Sequence, residues 1–284
     1  MGRFDYPPLG EFVDVCGTRL HYLDRGSGRA VVLLHGNPGS LHHFLPVVEG
    51  LMPAYRALAF DRPGHGYSRP AEGDGGSPVV QARVLHAALD RLGVVRPILV
   101  AESWSGSLAL AFALEFPADV AGVLTVAGTF HSDPGLIDPM YGLFLRPVLG
   151  PLVRWTVAPL LARDRVRGRL ARAFAPQPVD PAFERRAVSL WTRPRTLRSI
   201  ANDAVTRARI VGELAARYRE VDVPVVVLVG TEDVYVDQAR QGYALRGEVR
   251  GAELVEVPGA GHFLLETRPA LVVEAVERLA SRTA

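Results

Sequence analysis

The chain has 284 residues, 48% hydrophobic and 22% charged, the make-up of a soluble globular protein long enough to bury a substantial core. A net charge of +2 supplies no whole-molecule field for nucleic acid, and all 32 basic residues are arginine, so there is no lysine for Schiff-base chemistry. The single cysteine, Cys16, excludes an intramolecular disulfide and a cysteine metal cluster, and reads as a small packing residue.

In chain order, the opening MGRFDYPPLGEF lacks the apolar core of a signal peptide. Residues 11–15 and 19–24 predict a hairpin, and 30–35, 56–60, 97–101 and 120–126 predict strands with helical stretches between them. A helix is expected from 103 or 104 to 116, where Pro117 ends it. The alternation then fails: residues 129–211 are helical and arginine-rich, with Pro and Gly breaks and no convincing strand. It resumes with a strand at 224–229, a helix near 237–245, a strand at 253–257 and a closing helix at 269–280.

Strands alternating with helices mark a mainly parallel sheet covered on both faces. The expectation is an α/β core of eight strands, formed by residues 1–129 and 212–284, with a helical cap inserted at 130–211. The most apolar long stretch, 143–161, is broken by Arg146, Pro147, Gly150, Pro151, Arg154 and Pro159, so it falls short of a membrane span. The protein is expected to be cytoplasmic, with no membrane or nucleic-acid partner.

Three residues carry the chemistry. Ser103 follows the apolar run ILVA and opens a helix; Asp233 follows VVVLVG; His262 follows VPGAG. A serine hydroxyl needs a base to remove its proton, and serine, acid, histidine is the order of one triad architecture among several. The turn around the serine has Ala101 and Ser105 two residues to either side, small as a strained strand-to-helix turn requires. A second register would make Ser105 the nucleophile; Ser103 is preferred because one residue, Glu102, then separates it from the strand and Gly106 falls where the helix passes close to the sheet. Ser103 could otherwise cap the helix, Asp233 could form an Asx turn, and Glu232 is a substitute acid. In the glycine-containing turn after the strand VVLL, beside Gly36, Asn37 would offer a backbone N–H to an oxyanion, and Trp104 a second. Of the other histidines (His21, His35, His42, His43, His65, His86 and His131), read as structural or exposed, only His35 belongs to a motif.

The pieces HGNPG, DRPGHGYS, AESWSG, GTED and GAGHF together resemble the α/β-hydrolase fold superfamily over nearly the whole chain. Asn37 and Trp104 resemble its branch of haloalkane dehalogenases and epoxide hydrolases. That branch implies an aspartate nucleophile, and Ser103 stands there instead; for epoxide hydrolysis it also implies two cap tyrosines, and 129–211 holds only Tyr141. The resemblance therefore points to a serine hydrolase, with esterases, lactonases, carbon–carbon bond hydrolases and cofactor-free haloperoxidases as analogues. The expected reaction is cleavage of an ester, thioester, lactone or carbon–carbon bond through an acyl-enzyme, with no metal and no cofactor. The alternative is a non-hydrolytic lyase or cyclase using His262 as base, motivated by Glu102 and the altered elbow; a small-molecule receptor is a third reading.

Glu102, beside the nucleophile, is expected to turn away and pair with an arginine, or else to act as a second acid–base group. An apolar pocket is expected from Gly36, Glu102, Phe130, Tyr141, Trp155, Trp191, Val234 and Phe263, with Phe174 and Leu190 packing the cap. The cap carries fourteen arginines against six acidic residues. Either this is a solvated face, with Val166, Leu170 and Phe174 forming the buried stripe, or it steers an anionic substrate, a coenzyme A thioester or an acidic carrier.

Overall fold

The computed structural model describes residues 6–52 and 54–283; Met1–Asp5, which belong to the segment read for a leader and to the expected core, lie outside the described residues, as do Pro53 and Ala284. The strands are β1 Glu11–Val15, β2 Thr18–Gly26, β3 Arg29–Leu34, β4 Tyr55–Phe60, β5 Ile98–Glu102, β6 Gly122–Val126, β7 Val225–Gly230 and β8 Glu253–Val257. They form one sheet in the order β1-β2-β4-β3-β5-β6-β7-β8. Only β1–β2 and β2–β4 pair antiparallel; the rest is parallel, as the alternation of strand and helix predicted.

Both faces of the sheet are buried because the central strands are apolar at nearly every position. Val32, Leu34, Leu99 and Ala101 face one layer of the core. It is covered by α2 (Pro78–Arg91) and α3 (Ser105–Glu115). Val31, Leu33, Ile98 and Val100 face the other, covered by α1 (Leu45–Leu51) and α11 (Pro269–Ser281). Each valine, leucine or isoleucine among them contributes about 1.5–3 kcal/mol on burial.

Between β6 and β7 the described residues hold no strand and five α-helices: α4 (Met140–Leu145), α5 (Leu149–Trp155), α6 (Ala158–Phe174), α7 (Pro181–Trp191) and α8 (Pro194–Ala215). Their inward residues make a third cluster, in which Val166, Leu170 and Phe174 pack with Phe183, Leu190 and Trp191. After β7, α9 runs Gly242–Glu248, later than the expected 237–245. The Asp237 carboxylate accepts the Ala239 N–H at 3.1 Å, which holds a turn where the helix would begin. A last short helix, α10, is Leu264–Thr267.

Cys16 is exposed in the β1–β2 turn with φ +48°, not packed in the core. Among the described residues no helix is long and apolar enough to cross a membrane.

Candidate active site

Parallel register brings the functional loops together. Leu34 of β3 lies opposite Ala101 of β5, so the loops after these strands leave the sheet side by side, at the point where strand order reverses. The turn at Ser103 is strained: its φ is +49°, a region that costs a non-glycine residue about 1–3 kcal/mol. Three backbone bonds hold it there, from Ser103 N–H to Val126 O and from Gly106 and Thr129 N–H to Ser103 O, each 2.9 Å. Gly106 is required because a Cβ would stand 2.6 Å from the Phe130 ring.

The neighbouring serines are committed elsewhere. Ser105 Oγ donates to His35 O at 2.5 Å and Ser107 Oγ to Thr129 O at 2.7 Å. Ser103 instead lines an apolar cavity of about 280 Å³ between the sheet and the helices of 140–215, which His262 lines as well.

Asp233 and His262 meet because β7 and β8 are neighbours, with Gly230 opposite Val257. The Asp233 carboxylate accepts His262 Nδ1–H at 2.9 Å and Gln238 Nε2–H at 2.8 Å. It also accepts the Tyr235 and Val236 N–H groups at 2.9 and 3.0 Å. With the proton on Nδ1, the lone pair of His262 is on Nε2. Burial opposes the imidazolium, but the charge and hydrogen bond of Asp233, and then the charge of Glu102, hold the His262 pKa above its ordinary value. Burial also opposes the Asp233 anion, which His262 and the donors of the following turn outweigh, so its pKa is lowered. Glu232, the substitute acid, is exposed.

The loop of Gly36 and Asn37 lies against Ser103: a Cβ on Gly36 would be 3.0 Å from Ser103 Cβ. This loop is tied down by charge. Arg62 donates to His35 O and Gly36 O, each at 2.8 Å, and pairs with Asp203 of α8 at 2.7 Å. Asp203 also meets His65 at 2.9 Å and Gln81 at 3.1 Å. The Arg62 guanidinium lies 4.1 Å from the centre of the Trp104 ring, and Trp104 Nε1–H donates to Asp203 O. His35 is a link in this scaffold: Nε2 accepts the Arg62 N–H, and burial, then nearby cations, hold its pKa well below the ordinary value. Nothing in the sequence marked Asp203 for this task; the DRPGHGYS run pointed only to its partner.

Glu102 pairs with a histidine, not an arginine. Its Oε2 accepts His43 Nδ1–H and the Gly36 N–H, each at 3.0 Å, while Oε1 is buried without a partner. Burial raises its pKa, but His43, His262 and the Gly36 N–H more than offset that, so it is held ionised. Of the two readings the sequence allows for His43, structural or exposed, the first holds: it is buried among Phe183, Trp191 and Phe263.

Of the expected pocket residues, Gly36, Glu102, Tyr141, Trp191 and Phe263 line the cavity, and so does Asn37. Three do not. Phe130 is fully buried against Gly106 and Gly128, behind the elbow. Val234 is 59% exposed, because the turn that aims Asp233 inward turns its neighbour out, and Trp155 is 63% exposed on the outer side of α5. Trp104 lines a second, smaller hollow of about 40 Å³ with Asn37, Ser103, Asp133 and Arg207. Tyr235, not anticipated, borders both spaces, its ring 5.1 Å from that of His262. Among the described residues no group of three His, Cys, Asp or Glu side chains is placed to hold a metal ion.

Comparison with known proteins bears on the family and the fold. The family model for the alpha/beta hydrolase fold matches residues 29–269. Haloalkane dehalogenase 2 of Mycobacterium bovis is 27% identical over 278 residues, covering 95% of this chain and 94% of that protein. The 2-hydroxy-6-oxononadienedioate/2-hydroxy-6-oxononatrienedioate hydrolase of Paraburkholderia phymatum is 29% identical over 229 residues, 77% of this chain and 76% of its own. An alpha/beta hydrolase fold protein from Burkholderia ambifaria superposes with a TM-score of 0.79 at 22% identity, covering 94% of this chain and 96% of its own. The chain belongs to the α/β-hydrolase fold family.

Proposed function

We propose that this protein is a serine hydrolase that cleaves an ester, thioester or lactone, or a carbon–carbon bond next to a carbonyl, in a small and largely apolar substrate. The observation that carries this reading is the shared cavity: Ser103 and His262 line it together, Asp233 holds the far nitrogen of the imidazole, and the other two elbow hydroxyls are bonded to carbonyls. Ser103 Oγ attacks the substrate carbonyl as His262 Nε2 takes its proton. The oxyanion is met by the N–H groups of Asn37 and Trp104, whose positions are secured by the Arg62 scaffold. The tetrahedral adduct expels the leaving group, which takes the proton from His262, and leaves an acyl-enzyme. Water, deprotonated by His262, then releases the acid.

Residues 130–211 act as the lid. Leu161, Val166, Leu170, Leu197 and Ile200 make the larger cavity a place for the apolar acyl part. The smaller hollow, with Asp133 and Arg207 in its wall, takes the polar leaving group. Similarity to a dehalogenase does not bring that activity across. A serine attacking an alkyl halide would form an ether, with no ester for water to open.

The test is the intact mass of wild type, Ser103→Ala and Ser105→Ala after treatment with a fluorophosphonate probe and with a small acylating agent. An adduct on wild type and Ser105→Ala but not on Ser103→Ala is expected, with ester turnover in Ser103→Ala falling by roughly 10⁴–10⁶. An adduct that persists in Ser103→Ala, or no adduct with either reagent on folded wild type, would sink the proposal. Glu102, ionised beside the nucleophile with one oxygen unpartnered, favours one second reading, a lyase or cyclase in which it serves as an acid–base group. Product formation retained in Ser103→Ala but lost in Glu102→Gln would select it.

A further inference from the structure

Fifteen large hydrophobic side chains are exposed among the described residues, and seven of them fall within residues 148–161. Scattered singly such residues mean little; gathered, they mark a surface that something covers. Val148, Leu152 and Trp155 are spaced i, i+4, i+7, and Val157, Leu160 and Leu161 follow at i, i+3, i+4, so each set shares one side of its helix. The apolar side that α6 buries is a different one: Ala158, Ala162, Val166 and Leu170. This helix thus carries more apolar surface than its own core contact uses.

Within residues 139–163 the charges have one sign. No acidic residue occurs between Asp138 and Asp164, while Arg146, Arg163 and Arg165 flank the ridge. Asp164 itself meets Arg167 at 3.3 Å. A second copy docked by a two-fold axis would set these arginines against each other with no acid between them. An anionic bilayer would supply the missing charge, and leucine and tryptophan are side chains that settle at its headgroup boundary. We propose that the ridge of α5 and the first turns of α6 docks this protein onto an anionic lipid bilayer. The cavity opens within this surface: Val157, Leu161 and Arg165, at i, i+4, i+8, line it while being exposed. An apolar molecule dissolved in the bilayer would meet that mouth directly.

The test uses the full chain with vesicles of phosphatidylcholine alone or mixed with phosphatidylglycerol. Trp104 and Trp191 are buried and Trp155 is exposed, so a change in tryptophan emission on docking reports Trp155. Expected are cosedimentation with the phosphatidylglycerol vesicles and a blue shift that disappears in Trp155→Phe. Binding should weaken in Leu152→Ser/Leu160→Ser and fall about fivefold for each of Arg146→Gln and Arg163→Gln. None of these side chains is buried, and a thermal melt matching wild type confirms that the variants fold. Absence of cosedimentation, or equal binding to both vesicle types, would overturn the proposal. So would a concentration-dependent dimer in vesicle-free buffer that Leu152→Ser/Leu160→Ser abolishes.

Discussion

The sheet and the helices of 140–215 solve burial in opposite ways. Every residue of β5, β6 and β7 is buried, and the polar groups beside the strand ends are locked into multiple bonds, as with Asp233 and Arg62. The five helices share a single core cluster and leave an apolar cavity beneath and an apolar ridge above. Close packing holds the candidate triad in place, whereas loose packing leaves room for a ligand. The seam between the regions is ionic: Asp203, on α8, holds Arg62 and His65 below it.

That contrast can be broken first at the catalytic end. Asp233→Asn should lower kcat about 10⁴-fold on an ester while circular dichroism and the thermal melt stay near wild type. Next is the seam. Asp203→Ala leaves Arg62 buried without its counter-ion, which should destabilise by about 3–5 kcal/mol, read as a lower urea midpoint. Because Arg62 also holds His35 O and Gly36 O, kcat/KM should fall with it; unchanged activity in the folded variant would refute the scaffold role.

The pH profile sharpens the comparison. The proposed mechanism needs neutral His262, whose pKa burial lowers but Asp233 and then Glu102 raise above 6.5 on balance. Activity should therefore rise with pH through a midpoint above 6.5. Glu102→Gln removes one of the two carboxylates that favour the imidazolium, so the acid limb of kcat/KM should move to lower pH; an unmoved limb would reduce Glu102 to tying down Gly36 and His43. The smallest effect belongs to the outer face of the helices. Arg167, paired with Glu184 and Asp164 in solvent, should be replaceable by Gln with no change in melting temperature.

Much of the fold was legible because strand-forming runs are local. The run VVLL, the run VVVLVG and the strand at 253–257 each announce a strand without reference to anything distant, and Pro117 marks a helix end by its own backbone. The candidate triad was legible for a related reason: each member comes within a few residues of a strand end, and a parallel sheet gathers its strand ends on one side. The side chains of the helices of 140–215 had no such guide. Trp155 and Trp191 look alike in sequence, yet one faces solvent and the other the cavity, because short helices joined by breaks take their rotation from packing. Val234 and Asp233 are adjacent and point opposite ways for the same kind of reason.

Sequence by itself therefore determined the strands, their alternation with helices and the residues placed just beyond the strand ends, all set by backbone sterics and apolar periodicity within short windows. Tertiary structure alone decided that Glu102 pairs with His43, that Asp203 secures the loop beside Ser103, and that the surplus apolar residues of α5 and α6 face outward. The first two outcomes join groups 59 and 141 positions apart, and a buried charge finds its partner through the path of the whole chain.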